Sequence, residues 1–278
     1  MKTIGYPFSF GQPTVPDSQE THLSTAHPPI LRAWPDEQIV SGFAGRLGGR
    51  SVVVYESMNL SHLVGDDRDA VDANWKLLRA TLPSGIVFAR SKQVHGSVVR
   101  VVTHADAAER QEADGMVTCE RGIVLGIFTA DCVPILMTGQ NPQVACALHA
   151  GWRGVIAGIA ANGVAAMGKF GAKSSDVRVA LGPSIGSCCF EVDDALADRF
   201  IAEVPRAVRH TREGKPGKAY LNLRGIIRDQ LIDAGVPGRA IENIGPCTRC
   251  ASDRFFSRRA AGGVTTGLQM SFVGFPGK

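Results

Sequence analysis

The chain has 278 residues, 44% of them hydrophobic and 20% charged, which describes a globular protein with a substantial core rather than a disordered one. Its net charge of +4 is too small to indicate nucleic acid, although residues 198–278 hold 14 Lys/Arg against 7 Asp/Glu, a basic third that suits an anionic small molecule or merely a solvated face. The longest apolar run, Ile123 to Met137, is interrupted by Asp131 and too short to span a bilayer, and residues 1–19 lack the apolar stretch of an export signal. Seven cysteines, an odd number without an export signal, point to reduced thiols and a cytoplasmic home.

Residues 1–36 contain six prolines and read as an irregular arm, with residues 37–278 forming one domain. The pattern predicts a strand at Ile39–Phe43, a glycine-rich hairpin end carrying Arg46, and strand character again at Val52–Tyr55. One of Asp66 and Asp67 is placed to cap a helix over Arg68–Leu82, stopped by Pro83. Further strands are expected at Ile86–Gln93, Val98–Val102, Met116–Thr118, Ile123–Thr129, Val133–Met137, Gln143–Leu148 and Val177–Leu181. Val155–Phe170 reads as a small-residue helix. Asp193–Val204 and Leu223–Ala234 read as helices flanking a charged loop at His210–Gly217, and a last strand is expected near Leu268–Val273. The fold class is mixed α/β.

Three residues sit where strand patterns break beside small residues: His95 before Gly96, Cys132 after Ala130-Asp131, and His149 before Ala150-Gly151. Strand ends are where α/β sheets collect site residues. Two imidazoles and a thiolate form a good zinc set, and three protein ligands leave a fourth position for water or substrate. The ligand spacings match no short metal motif, so structural histidines and a buried core thiol remain the competing reading. The strand-to-helix turn at Gly151-Trp152-Arg153-Gly154 presents N–H groups and a positive dipole end to whatever faces it. Gly182-Pro183-Ser184-Ile185-Gly186 matches G-x-S-x-G, but the following Ser187 to Val192 looks extended where a nucleophile elbow requires a helix. Cys247-x-x-Cys250 is a lone pair that supports neither a zinc knuckle nor a redox motif.

Taken together, Gly45-Arg46, Gly48-Gly49, Asn59-Leu60, Val64-Gly65-Asp66, Gln93-Val94-His95-Gly96, Ala113-Asp114-Gly115, Thr129-Ala130-Asp131-Cys132-Val133-Pro134, His149-Ala150-Gly151-Trp152-Arg153-Gly154, Gly182 to Val192 and Phe255-Phe256-Ser257-Arg258-Arg259 strongly resemble the YfiH/YlmD family. The resemblance implies a single-domain four-layer α/β/β/α fold shared with a Cys/His toxin deamidase. It also implies zinc, with copper as the second candidate metal, held by His95, Cys132 and His149. The implied activity is phosphorolysis of adenosine, inosine, guanosine and methylthioadenosine, together with adenosine deamination. Ser187, Phe190, the Arg259-Ala260 pair and the Asn74-Trp75 pair depart from the family's usual residues, and none is a proposed ligand.

Within that reading, Arg46 and Arg153 are the phosphate candidates because guanidinium geometry matches a pair of phosphate oxygens. Gln93 is a candidate substrate contact. Asp131 is expected to orient a ligand histidine or to serve as acid or base, beside Cys132 and His149 in the catalytic set. The expected partners are a purine nucleoside and phosphate, with no nucleic acid and no membrane, in a monomer or small homo-oligomer. Two alternatives are a cysteine hydrolase or amidase using Cys132 and His149, and a copper-dependent polyphenol oxidase. Multicopper chemistry needs roughly ten histidine ligands, whereas this chain has seven histidines in all.

Overall fold

A computed structural model describes residues 28–277, so most of the proline-rich segment, residues 1–27, lies outside the described residues. Two sheets carry the fold. The first has the order β1 (Ile30–Leu31), β2 (Val40–Ala44), β14 (Gln269–Gly274), β6 (Ile123–Thr129) and β3 (Val87–Ala89). Its pairings are antiparallel except β3 on β6. The second has the order β13 (Ile241–Asn243), β9 (Arg178–Leu181), β7 (Val133–Gln140), β8 (Gln143–Ala150), β5 (Gly115–Thr118) and β4 (Val99–Val101). Its centre is antiparallel and both edge pairs are parallel.

Strand alternation explains the stacking. Along β8, Val144, Cys146 and Leu148 join a core shared with helices, whereas Ala145 and Ala147 face the other way. Those alanines, with Ala180 on β9, meet Phe43, Ile123, Leu125 and Ile127 of the first sheet and Phe275 just beyond β14, so small residues on one side receive large ones on the other. The outer face of the first sheet, through Val40, Val124, Met270 and Phe272, is covered by Val71, Trp75 and Leu78 of helix α1 (Arg68–Arg79). The outer face of the second is covered by α2 (Trp152–Ile156), α3 (Ile159–Gly168), α4 (Asp194–Glu203) and α5 (Leu223–Asp233). The order is helix, sheet, sheet, helix, as the resemblance implied. The Cys146 thiol, pushed far up by burial alone, is an inert part of the core.

Asp67 caps α1 by accepting from the Ala70 N–H at 2.8 Å, as expected from sequence. Four expectations change. Val52–Tyr55 forms a 3-10 turn at Val53–Tyr55 rather than a strand, because no partner strand lies beside it among the described residues and its valines are exposed. The helix expected over Val155–Phe170 breaks into α2 and α3 at Gly158, whose φ of +76° is left-handed and interrupts the helical ladder. The charged loop His210–Gly217 instead contributes β11 (Thr211–Glu213), which pairs with one side of β12 (Lys218–Leu221) while β10 (Glu191–Asp193) pairs with the other, in a small third sheet. Residues 28–36 are not irregular throughout, since β1 extends the first sheet and Trp34 is buried between the sheets.

Candidate metal centre and adjoining cavity

The chain passes from the first sheet to the second at the β6–β7 turn, and Cys132 lies on that turn. His149 is near the end of β8, directly opposite Pro134 of β7. His95 comes from the loop joining β3 to β4, which also crosses between the sheets. Three distant segments therefore converge at one end of the sandwich. The His95 and His149 rings meet edge to face with centroids 4.8 Å apart, and Cys132 Sγ lies 4.0 Å from His95 Nε2.

The donor atoms of His95, Cys132 and His149 all lie within 4.8 Å of one another. Around zinc, with bonds of about 2.0–2.3 Å to nitrogen and sulfur, donors along a tetrahedral edge sit roughly 3.3–3.8 Å apart, so small rotations of these side chains would enclose the ion. The donor set and its convergence fit a metal. All three residues also line a cavity of about 300 Å³, which supplies the open side that a catalytic rather than a structural centre needs.

The support for this triad is the carboxylate of Asp114, a residue that sequence reasoning places only within a family motif, with no role assigned to it. Its side chain is fully buried and its Oδ1 lies 2.7 Å from His149 Nδ1. The same carboxylate accepts the N–H groups of Val94 (3.1 Å), His95 (2.9 Å) and Gly96 (2.7 Å). One group thus fixes the tautomer of one ligand and the backbone of another, the arrangement that orients metal-binding imidazoles generally. Burial favours the neutral Asp114 carboxyl, but the His149 bond and these N–H groups hold it below the ordinary carboxylate range. The signal was in the sequence, in an acidic residue placed immediately before a wholly buried strand.

Burial also opposes charge on Cys132 and His149, yet each stabilises the other's ionised form. The Cys132 thiol comes down to about 6 under the influence of His149 and His95, and His149 is raised to about 9 by Cys132 and Asp114. In the metal-free protein the pair is thiolate and imidazolium. Backbone strain concentrates at the same place. His95 has φ +61° and Asp131 has φ +88°, left-handed values that side chains other than glycine adopt at some cost.

The other sequence candidates fall in different places. The Asp131 carboxylate does not reach a ligand histidine: it accepts from Thr248 Oγ1 at 2.6 Å and from the Arg259 N–H at 2.7 Å, tying the Cys132 turn to the C-terminal loop. Gln93 lines the cavity, but both ends of its amide bond to the backbone of Phe128. Arg46 is spent on the carbonyls of Glu56 and Ser252 and stacks over Phe256, outside the cavity lining. Arg153 stacks over Trp152 with its guanidinium 4.2 Å from the ring centroid and also stands outside the lining. The basic residues that do line it are Arg90, Lys92, Arg110 and Arg258. Arg90 is lowered to about 10 by burial and by the like charges of Arg110 and Arg79, a crowding that an anion would relieve. Ser184 is fully buried and its Oγ accepts from Arg224 Nε at 2.7 Å, which removes the nucleophile-elbow reading.

The site and fold together define an enzyme class built on a Cys/His centre at the end of a two-sheet α/β sandwich. Residues 40–276 match the family model described as multi-copper polyphenol oxidoreductase laccase, and the chain belongs to that family. It is 35% identical over 246 residues to purine nucleoside phosphorylase YlmD of Geobacillus stearothermophilus, covering 84% of this chain and 89% of that one. Similarity to a purine nucleoside phosphorylase of Streptomyces coelicolor is 38% over 237 residues, covering 84% and 93% of the two chains. An adenosine deaminase from an unknown prokaryotic organism is 36% identical over 228 residues, covering 78% and 86%. The crystal structure of the Geobacillus YlmD superposes with a TM-score of 0.83 at 34% identity, over 89% of this chain and 96% of that one. That of YfiH from Bacillus licheniformis gives 0.83 at 30% identity, over 89% and 97%. Among the described residues, no helix is long and apolar enough to cross a membrane.

Proposed function

We propose that this chain is a zinc-dependent purine nucleoside phosphorylase acting on adenosine, inosine, guanosine and methylthioadenosine, with adenosine deaminase activity at the same centre. The observation that carries the reading is one cavity lined both by His95, Cys132 and His149 and by Arg90, Lys92, Arg110 and Arg258. Zinc on the first three residues would supply Lewis-acid chemistry beside the purine. The guanidinium and ammonium groups hold phosphate near the ribose, where it displaces the base. Phe128, Leu63 and Leu268 give the cavity the apolar wall that suits a purine ring. Asp114 holds His149 in register, and Asp131 positions the Cys132 turn from behind. Names of the relatives at 35–38% identity support the same two activities. Reduced thiols and these substrates suit a cytoplasmic enzyme.

The test is release of free purine from adenosine and inosine with and without phosphate, beside Cys132→Ala. Phosphate-dependent release that disappears in the variant is expected. Release that ignores phosphate, or survives in the variant, would overturn the reading.

One observation favours a second chemistry. Cys132, His149 and the Asp114 carboxylate line up as nucleophile, the base that holds its proton and later returns it to the leaving group, and orienting group of a cysteine hydrolase or amidase. Covalent trapping of Cys132 by an electrophilic amide in metal-free protein supports that reading. Tight stoichiometric metal that blocks the trapping counts against it.

A further inference from the structure

We propose a second metal centre, a closed structural zinc site formed by Cys188, Cys189, Cys247 and Cys250. The chain supplies these cysteines as two pairs far apart in sequence. Cys188-Cys189 lies in the turn between β9 and β10, and Cys247-x-x-Cys250 in the long connection from β13 to β14. The fold brings them together through an isolated parallel bridge between Ser184 and Cys247. All four sulfurs lie within 4.8 Å of one another and none is bonded to another. Cys250 Sγ stands 3.7 Å from Cys188 Sγ and 3.4 Å from Cys189 Sγ. Thiolates about 2.3 Å from a tetrahedral zinc are separated by roughly 3.8 Å, so the spacing already matches the edges of a zinc tetrahedron.

The surroundings suit such a cluster. Zinc with four thiolates carries a net charge of −2, which calls for N–H donors and cations. The Gly186 N–H donates to Cys247 Sγ at 3.2 Å and Arg249 Nη1 to Cys189 Sγ at 3.6 Å. Arg224 fixes the two walls to each other, through Ser184 on one side and the carbonyls of Gly245 and Pro246 on the other. Four protein ligands leave no open position, so the centre is structural where the His95, Cys132, His149 centre is open.

Its mechanical role follows from what lies next to it. The connection from Ile244 to Leu268 contains no helix or strand, an unusual length of chain to hold in one conformation. Thr248, between the two CxxC cysteines, donates to Asp131, the neighbour of Cys132. Arg259 reaches Asp131 through its N–H, and Arg258 lines the cavity. A zinc ion on the four cysteines staples this connection to the β9–β10 turn and so braces one wall of the active cavity.

The inference is independent of the function proposed above and is tested apart from it. Purified Cys132→Ala/His149→Ala protein, which lacks the open centre, is expected to retain about one zinc per chain by mass-spectrometric metal analysis. Adding Cys247→Ser and Cys250→Ser should bring that to near zero. The unaltered chain gives a second readout that needs no variant: iodoacetamide mapping should find these four cysteines protected until a chelator is added, and then modified. A folded double variant without zinc, iron in place of zinc, a disulfide among the four cysteines, or alkylation that ignores the chelator would each overturn the proposal.

Discussion

The Asp114 carboxylate holds His149 through Nδ1 at 2.7 Å while three consecutive N–H groups, from Val94 to Gly96, close on the same two oxygens. The bond leaves Nε2 of His149 as its free donor atom, and it makes the backbone of the His95 loop depend on the same carboxylate. A second-sphere contact of this kind governs how well the two imidazoles can share one ion.

Replacing Asp114 by Asn keeps the size but removes the charge and reverses one hydrogen-bonding edge. Metal affinity at the His95, Cys132, His149 centre is expected to fall about 10–100-fold, the usual cost of losing such a partner. Competition with a chromophoric chelator measures it. Unchanged affinity would mean that Asp114 serves the fold alone.

The thiolate–imidazolium pair sets a pH dependence whose sign can be worked out. His149 is raised from 6.5 to about 9, so its contribution to stability is full below 6.5 and is lost as pH rises through about 9. Cys132 is lowered from 9.0 to about 6, so its contribution is full above 9.0 and is lost as pH falls through about 6. Both describe one shared interaction, which is therefore strongest between about 6 and 9. Metal-free protein should show its highest melting temperature in that window. Zinc uptake near pH 7.5 must displace the His149 proton while Cys132 is already ionised, so about one proton is released per ion. Titration calorimetry in buffers of different ionisation enthalpy counts it; release of about two would show a protonated thiol.

His95, Cys132 and His149 can be singled out because each sits where a strand pattern stops, a local feature that needs no knowledge of which strands pair. That pattern alone leaves structural histidines and a core thiol as the competing reading, and the family resemblance makes the three a candidate metal set. The anion-binding side did need the strand pairing. Arg46 and Arg153 stand beside glycine-rich turns and look like phosphate residues, yet one is consumed by the Glu56 and Ser252 carbonyls and the other stacks on Trp152. Arg90 and Arg110 lie in stretches without a motif, Arg258 in one not read as an anion contact, and they meet only because the end of β3, the β4–β5 loop and the C-terminal connection share one end of the sandwich. The cysteine pairs show the same limit: Cys188-Cys189 and Cys247-x-x-Cys250 are each unpersuasive, and only the bridge between Ser184 and Cys247 makes them one cluster.

This reassignment separates two variants. Arg110 is exposed on the cavity rim and lacks any ion pair among the described residues, so Arg110→Ala removes a cation without disturbing packing. The loss of one charge-assisted contact, about 1.5–3 kcal/mol, should lower kcat/KM for phosphate roughly 10–100-fold while the nucleoside KM moves less. Arg153→Ala should stay within about twofold, since its guanidinium is directed onto Trp152. Steady-state kinetics varying phosphate and nucleoside separately decides between them. The opposite ranking would return phosphate to the α2 turn.

Gly151 and Gly154 of that turn have a role of another kind. Gly151 has φ −74° and ψ 164°, a backbone that any residue adopts, so conformation alone would admit alanine there. Space does not. A Cβ on Gly151 would lie 2.8 Å from His95 Cδ2 and 3.2 Å from Cys132 Sγ, while one on Gly154 would lie 2.7 Å from the Gly96 carbonyl oxygen. The first clash falls on two of the candidate metal ligands and the second on the backbone beside one of them. Gly151→Ala should therefore push the imidazole and thiolate apart and weaken metal binding at least about tenfold, with little loss of melting temperature because exposed-loop side chains can yield. Gly154→Ala meets a main-chain oxygen held by the Asp114 clasp and should cost about 1–3 kcal/mol of stability as well. Chelator competition and thermal melts on the two variants separate these effects. If Gly151→Ala binds metal as the unaltered chain does, the donors do not close around an ion in the way their convergence requires.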